Sequence, residues 1–309
     1  MDLFESSPAA RRIFQEADEI LDFPLSRLCF EGPQEELSRT INAQPAIFTT
    51  SIACLEAARE RGFDVRPDYV AGHSLGEYTA LVAAGALDFP EALLLVRERG
   101  RLMEEAGRMN PGGMAAVIGL DEMSLREICE KAGVEIANLN SPHQIVISGP
   151  KERIPLAMDL AKARGAKKVV RLEVSGAFHS SLMEPAARAL AEYISKLRMR
   201  DPSIPIIGNT TASPLRTAEE LKQELVRQLC SCIRWADLIQ FMLQDKVSTF
   251  IEIGPRRVLS GLIMEISRRA KVLQMEDTSS ILKVRDLLLK GPEEYRFQSG
   301  VKAHENRFL

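Results

Sequence analysis

The order and punctuation of the apolar segments predict an α/β fold: a parallel sheet flanked by helices, with a smaller domain inserted. Three observations carry this reading. The short apolar run Tyr69-Val70-Ala71 enters Gly72-His73-Ser74-Leu75-Gly76 and then the helix former Glu77–Ala84, so a strand gives way to a helix across one tight turn. Between about residues 107 and 175 the texture changes to β-α-β-β-α-β. Beyond 175 strand and helix alternate again, as in Ile204–Gly208 followed by Ala218–Leu229.

Taken in order, Ser7-Pro8 opens a helix to about Leu21, with proline at a first-turn position where its missing N–H costs nothing. Gln44-Pro45 predicts a second helix, ending near Arg61 at Gly62. The helix after the turn stops at Gly85, and Pro90 starts another that runs to about Ala106. In the insert, Met114–Gly119 reads as a strand and Ser124–Ala132 as a helix closed by Gly133. Strands Val134–Leu139 and Gln144–Ser148 are joined by the turn Asn140-Ser141-Pro142-His143. A helix over Pro150–Arg164 and a strand over Lys168–Val174 complete the order, which is that of the ferredoxin-like split motif. Trp235–Asp245 is a helix, and Thr249–Ile253 a buried strand running through Gly254-Pro255 into a further helix. The large domain is thus expected over 1–106 and 176–290, the small one over 107–175, and a polar, aperiodic tail over 291–309.

The 309 residues are 45% hydrophobic and 27% charged, ordinary values for a globular chain. A net charge of −3 without a basic stripe argues against nucleic-acid binding. No apolar run approaches the roughly 18–20 residues a membrane helix needs, and Met1-Asp2-Leu3-Phe4-Glu5 has no basic or apolar leader character. Five cysteines without a C-x-x-C pair fit a reduced compartment, so a cytoplasmic location is expected. Cys230-Ser231-Cys232 has no histidine or second cysteine pair nearby, so no metal is expected. No cofactor and a monomeric state are expected as well.

The chemistry centres on Ser74. A G-x-S-x-G between strand and helix is a nucleophile elbow, which lifts the hydroxyl clear of the backbone at a helix N-terminus. Free N–H groups and the helix dipole can stabilise an oxyanion there. A serine needs a base, and the chain has four histidines. His73 adjoins Ser74, where successive side chains diverge; His143 lies in the insert's turn and His304 in the tail. His179, in Ser175-Gly176-Ala177-Phe178-His179-Ser180, stands where the chain re-enters the large domain and is the expected base. No acid between Ser74 and His179 sits at an obvious strand end, so a backbone carbonyl is expected as the third member, giving a Ser–His dyad.

Arg99 is the other informative residue. At 100° per residue, Ala92, Leu95, Val96, Leu102, Met103 and Ala106 fall within about 60° of it. Arg99 therefore lies at the centre of the apolar stripe, where an unpaired guanidinium would cost several kcal/mol. Two readings stand: it pairs with a buried carboxylate of the protein, or it awaits a carboxylate on the substrate.

Val70-Ala71-Gly72-His73-Ser74-Leu75-Gly76-Glu77-Tyr78 resembles the active-site segment of malonyl-CoA:acyl carrier protein transacylases. So do Gly176-Ala177-Phe178-His179, Val226-Arg227-Gln228-Leu229 and Phe250-Ile251-Glu252-Ile253-Gly254-Pro255, in order and spacing, over about residues 2–290. The resemblance implies an α/β-hydrolase-like large domain with a ferredoxin-like insert. It implies Ser74 as nucleophile, His179 as base and the main-chain carbonyl of Gln228 as the group orienting the histidine. It further implies that Leu75 N–H forms half of the oxyanion hole and that Arg99 binds the malonyl carboxylate. Phe178, before the histidine, points to malonyl over methylmalonyl, and Gln44 and Asn209 match positions near the substrate. The implied reaction is ping-pong transfer of malonyl from malonyl-CoA to the phosphopantetheine thiol of acyl carrier protein, for fatty-acid or polyketide synthesis. Because carrier proteins in this family's pathway are acidic, Lys167, Lys168, Arg256 and Arg257 are the expected basic docking residues.

Two departures qualify the likeness. Family members open with an apolar strand and a G-Q-G-S-Q-like loop whose glutamine supplies a second oxyanion N–H, whereas this sequence starts past that place. The expectation is either a shortened version or impaired activity, since one lost donor costs roughly 100- to 1000-fold in rate. Arg256 also stands where the family carries a glycine. Two other functions share the elbow: a serine thioesterase or esterase, and a catalytically silent protein that binds the carrier.

Overall fold

Helices dominate the first hundred residues: α1 (Asp2–Ser6), α2 (Pro8–Leu21), α3 (Leu25–Glu31), α4 (Gln34–Ser38), α5 (Thr40–Glu60), α6 (Gly76–Ala83) and α7 (Phe89–Met109). The computed structural model describes residues 1–289; the tail expected over 291–309, with His304, lies outside the described residues. Helix α2 starts at Pro8 as expected, its first turn capped by Ser7 Oγ, which accepts from Ala10 N at 3.2 Å. Helix α5 starts at Thr40 rather than Gln44, so Pro45 is interior. The Ile41 carbonyl that Pro45 cannot engage accepts instead from Arg97 Nη1 at 2.9 Å, which removes the usual cost of an interior proline. Helices α5 and α7 pack against each other, with Phe48 and Phe89 stacked at 5.7 Å, and form the middle of the main core.

The segment after α7 folds as β1 (Gly112–Ile118), α8 (Glu122–Ala132), β2 (Glu135–Ser141), β3 (Gln144–Pro150), α9 (Ile154–Ala163) and β4 (Lys168–Leu172). Its four strands make one antiparallel sheet in the order β2-β3-β1-β4, with its own apolar core under α8 and α9. Helix α9 is shorter than expected at its start because Pro150 ends β3. The β2 edge docks on the rest of the molecule: Leu139 N donates to Ile233 O and Ile233 N to Ala137 O, both at 2.9 Å.

Beyond it come α10 (Glu184–Ser195), β5 (Ile206–Ile207), β6 (Pro214–Leu215), α11 (Ala218–Gln228), α12 (Trp235–Gln244), β7 (Thr249–Ile253), α13 (Val258–Ile266), β8 (Lys271–Met275) and α14 (Thr278–Leu289). The expected parallel sheet is found in pieces. Val70 and Ile206 make one parallel bridge, and β7 pairs in parallel with β8. Pro205 has no N–H to donate, and the elbow follows Ala71 at once, so neither run extends into a ladder. The pieces meet through side chains, with Ala71, Ile207, Phe250 and Ile263 in one apolar cluster. Within β7 only Phe250 is fully buried. Helices α1, α3, α4, α10 and α14 and strands β6 and β8 have no counterpart in the elements read from the sequence.

Candidate active site

The elbow has the strained geometry its sequence requires. Ser74 has a φ of 51°, the left-handed region that side chains other than glycine rarely occupy. A Cβ on Gly72 would lie 1.9 Å from the Gly76 carbonyl carbon, so only glycine lets the chain close so tightly. Asn209 holds this conformation from below: Ser74 N donates to its Oδ1 and its Nδ2 donates to Gly72 O, each at 2.7 Å. Helix α6 begins immediately afterwards. The N–H of Leu75 at its N-terminus has no acceptor among the described residues.

Ser74 Oγ lies 2.8 Å from His179 Nε2, and His179 Nδ1 lies 2.7 Å from the main-chain carbonyl of Gln228. That carbonyl can only accept, so Nδ1 carries the proton and Nε2 is left to accept from the serine hydroxyl. Gln228 ends α11, where its carbonyl has no helical partner. His179 itself has a φ of 58° and is 4% exposed. Burial, and then the Arg99 charge, push its pKa down to about 3. The imidazole is therefore neutral, and available as a base, throughout the physiological range.

Keeping this ring neutral ties folding stability to pH. Below the ordinary value of 6.5 the unfolded chain takes up a proton that the buried ring refuses, so this contribution is lost as pH falls from 6.5 toward about 3. In urea unfolding, wild type should lose about 2–3 kcal/mol relative to His179→Gln between neutral pH and about pH 4.5. An unchanged gap would contradict a buried neutral ring.

Arg99, in the middle of α7, is 1% exposed, with its guanidinium carbon 5.0 Å from the Tyr78 ring centroid. Nη1 donates to Gln44 Oε1 at 2.6 Å; Nη2 donates to Gln228 Oε1 at 2.8 Å and to Ser74 Oγ at 3.0 Å. Its direct acceptors are two neutral amides and the Ser74 hydroxyl. No carboxylate hydrogen-bonds to it directly among the described residues, so the guanidinium stands beside the serine without a bonded anion.

The remaining candidates fall elsewhere. Asn209, expected near the substrate, is fully buried beneath Ser74, and both ends of its amide hold the elbow. Gln44 is also buried; its Oε1 holds Arg99 and its Nε2 faces Met103 Sδ at 3.3 Å, so it supports the guanidinium. Phe178 packs between the main core and the Met114–Val146 cluster of the small sheet. His73 turns away from Ser74 and bonds through Nε2 to Asn140 Oδ1 on β2 at 2.8 Å. His143 lies in the β2–β3 turn, its N–H donating to Ser141 Oγ. Lys167, Lys168, Arg256 and Arg257 are exposed, Arg257 being paired with Glu276 at 3.1 Å. Arg256 has a φ of 71°, so arginine occupies a conformation suited to the glycine found there in the family it resembles. Among the described residues no cluster of three His, Cys, Asp or Glu side chains could hold a metal, and no helix is long and apolar enough to cross a membrane.

Two contributions escaped the sequence reading: Glu77 and the side chain of Gln228. Glu77 Oε1 accepts from Asn209 N at 2.8 Å and Oε2 from Gln228 Nε2 at 2.5 Å; Gln228 Nε2 also donates to Ser74 O at 3.0 Å. The signal was available, since Glu77 is the one charged residue of α6.

A mixed α/β scaffold presenting a strained serine to a neutral imidazole defines the class of serine-nucleophile proteins. Comparison with known proteins narrows it. Residues 1–282 match the family model described as acyl transferase domain. The malonyl CoA-acyl carrier protein transacylase of Bacillus subtilis (strain 168) is 48% identical over 285 residues, 91% of this chain and 89% of that protein. The protein of that name from Haemophilus influenzae is 37% identical, covering 93% and 94%. Among solved structures, the malonyl CoA-acyl carrier protein transacylase of Coxiella burnetii superposes with a TM-score of 0.89 at 39% identity, covering 92% of this chain and 90% of that one. A malonyl-transacylase solved in complex with a type II PKS acyl-carrier protein gives 0.90 at 38% identity, covering 93% and 94%. The chain belongs to the acyl transferase domain family.

Proposed function

We propose that this chain moves a malonyl group from malonyl-CoA to the phosphopantetheine thiol of an acyl carrier protein, through an ester on Ser74. His179 Nε2 takes the hydroxyl proton as Ser74 Oγ attacks the thioester carbonyl, and the Leu75 N–H receives the developing oxyanion. Collapse breaks the C–S bond, and the imidazolium returns the proton to the departing thiolate. The carrier thiol then gives its proton to Nε2, attacks the ester, and Ser74 recovers its hydrogen. The Gln228 carbonyl keeps the imidazole in one tautomer throughout, so the pair works as a Ser–His dyad. Phe178, beside the histidine, limits the size of the acyl group. The reading treats 107–175 as a ferredoxin-like insert on an α/β-hydrolase-like body, acting as a cytoplasmic monomer. It takes Lys167, Lys168, Arg256 and Arg257 as the basic face toward the acidic carrier.

The observation that carries this reading is Arg99 Nη2 at 3.0 Å from the nucleophile's own oxygen. A carboxylate one methylene beyond an acyl carbon on Ser74 falls within reach of that guanidinium, and it would replace the serine oxygen as acceptor. An acetyl group would leave the buried charge unmatched. Arg99→Ala is expected to lower kcat/KM for malonyl-CoA by roughly 10- to 100-fold while changing acetyl transfer less. Equal losses for both acyl groups would remove Arg99 from substrate selection. The reaction itself is tested by supplying malonyl-CoA with and without carrier protein. Malonyl carrier protein is the expected product, and free malonate as the main product in both cases would make the protein a hydrolase.

A further inference from the structure

Arg99 is buried, charged and without a directly bonded carboxylate, yet a carboxylate lies one residue further along its hydrogen-bond chain. The order is Arg99 Nη2 to Gln228 Oε1 at 2.8 Å, then Gln228 Nε2 to Glu77 Oε2 at 2.5 Å. All of these groups are shielded from solvent: Arg99 and Glu77 are each 1% exposed and Gln228 0%. We propose that Glu77 is the counter-charge of Arg99, relayed by the Gln228 amide, and a positioning residue for acyl selection. The proposal rests on the reading that Arg99 receives the substrate carboxylate.

The direction of the Gln228 amide is fixed at both ends. Its nitrogen faces two acceptors, Glu77 Oε2 and Ser74 O, so its oxygen must face the guanidinium. Both oxygens of Glu77 face N–H donors, from Asn209 and Gln228, which is the arrangement an ionised carboxylate requires. Burial and then the neighbouring Glu224 hold the Glu77 pKa well above the usual carboxylate range, and the two donors and Arg99 offset this only in part, so the case for the charged form rests on the donors facing both of its oxygens. Glu224, also buried, has its oxygens on Thr210 N and Thr210 Oγ1, leaving Glu77 as the acid joined to Arg99.

Separation by one amide has a chemical consequence. A carboxylate bonded directly to Arg99 would occupy the guanidinium edge a substrate needs and cancel its charge. One residue away, it makes the buried cation tolerable in the empty site and leaves that edge usable. Gln228 also joins selection to catalysis, since its main chain holds His179 and its side chain holds both Arg99 and the Ser74 carbonyl.

A double-mutant cycle on Arg99→Met and Glu77→Gln tests the pairing by thermal unfolding, independently of substrate. Glu77→Gln should lower Tm in wild type and raise it in the Arg99→Met background, where the carboxylate has lost its cation. Equal shifts in both backgrounds would mean Glu77 is only a structural polar group and would overturn the proposal. Acyl preference then provides the functional readout: Glu77→Gln should cut the malonyl-to-acetyl ratio of kcat/KM by about tenfold. In Glu77→Gln/Gln228→Glu, which conserves total charge but places the acid on Arg99, the ratio should fall further. Coupling in Tm with an unchanged ratio would uphold the ion relay and refute Arg99 as the selector. If Glu77→Gln does not fold, Gln228→Met enters the same cycle, because it breaks the relay and keeps the main-chain carbonyl. Additivity there overturns the proposal equally.

Discussion

Replacing Ser74 by alanine is expected to abolish transfer, lowering kcat by roughly 10⁴- to 10⁶-fold. The size follows from the geometry. The hydroxyl sits 2.8 Å from a neutral imidazole that has no other acidic partner, and no second nucleophile shares that position. What survives is binding and the Leu75 N–H, which together supply only a small part of the acceleration. Intact-mass measurement checks it directly. Wild type incubated with malonyl-CoA should gain one malonyl group at Ser74, and Ser74→Ala should gain none. An adduct of equal yield on the variant would place the nucleophile elsewhere. The fold should survive, because the left-handed backbone at Ser74 is held by Asn209 and Gln228 through main-chain atoms rather than by the hydroxyl. Alanine there is as strained as serine, so Tm should move little.

Gly72→Ala is expected to have the largest effect on the fold. Its Cβ would lie 1.9 Å from Gly76 C, 2.1 Å from Gly76 O and 2.5 Å from Glu77 N. These are main-chain atoms at the start of α6, and none can move without opening the turn. Opening it separates Ser74 from His179 and breaks the Asn209 contact with Gly72 O. A loss above about 4 kcal/mol is expected, in the range reserved for overpacking that cannot relax. Urea or thermal unfolding measures it. Gly76→Ala is the control, since nothing lies within 4 Å of a Cβ there. If the two variants were equally stable, the tight closure of the elbow would not be what excludes a side chain at Gly72.

Much of this was legible in the linear chain because it depends on neighbours in sequence. The elbow is five consecutive residues, and Pro8, Gly85 and Gly133 mark helix ends by their own backbone limits. Arg99 could be placed on the buried face of α7 by its spacing from apolar residues on the same helix, and it is buried there. His179 emerged by elimination among four histidines. Helix α10 carries a readable signal as well, since Ala186, Ala187, Leu190 and Ile194 recur at helical spacing. The start of α5 could not have been read locally. Pro45 is tolerated inside it because Arg97, on another helix, takes the carbonyl that Pro45 leaves free.

The roles of Asn209, Gln44 and Gln228 show where such reading ends. An amide side chain looks the same in sequence whether it meets a substrate or a backbone. Only the approach of segments more than a hundred residues apart turned Asn209 into the brace under Ser74 and Gln228 into the link between Arg99 and Glu77. The sequence by itself determined the elbow at Ser74, the burial of the Arg99 guanidinium and many of the helices and strands. Each of those follows from short-range sterics and periodic burial. The tertiary structure alone decided that the Gln228 side chain joins Arg99 to Glu77, that Asn209 braces the elbow, and how little of the parallel sheet forms as ladder. Those depend on hydrogen bonds, which act over about 3 Å, and only folding brings distant residues that close.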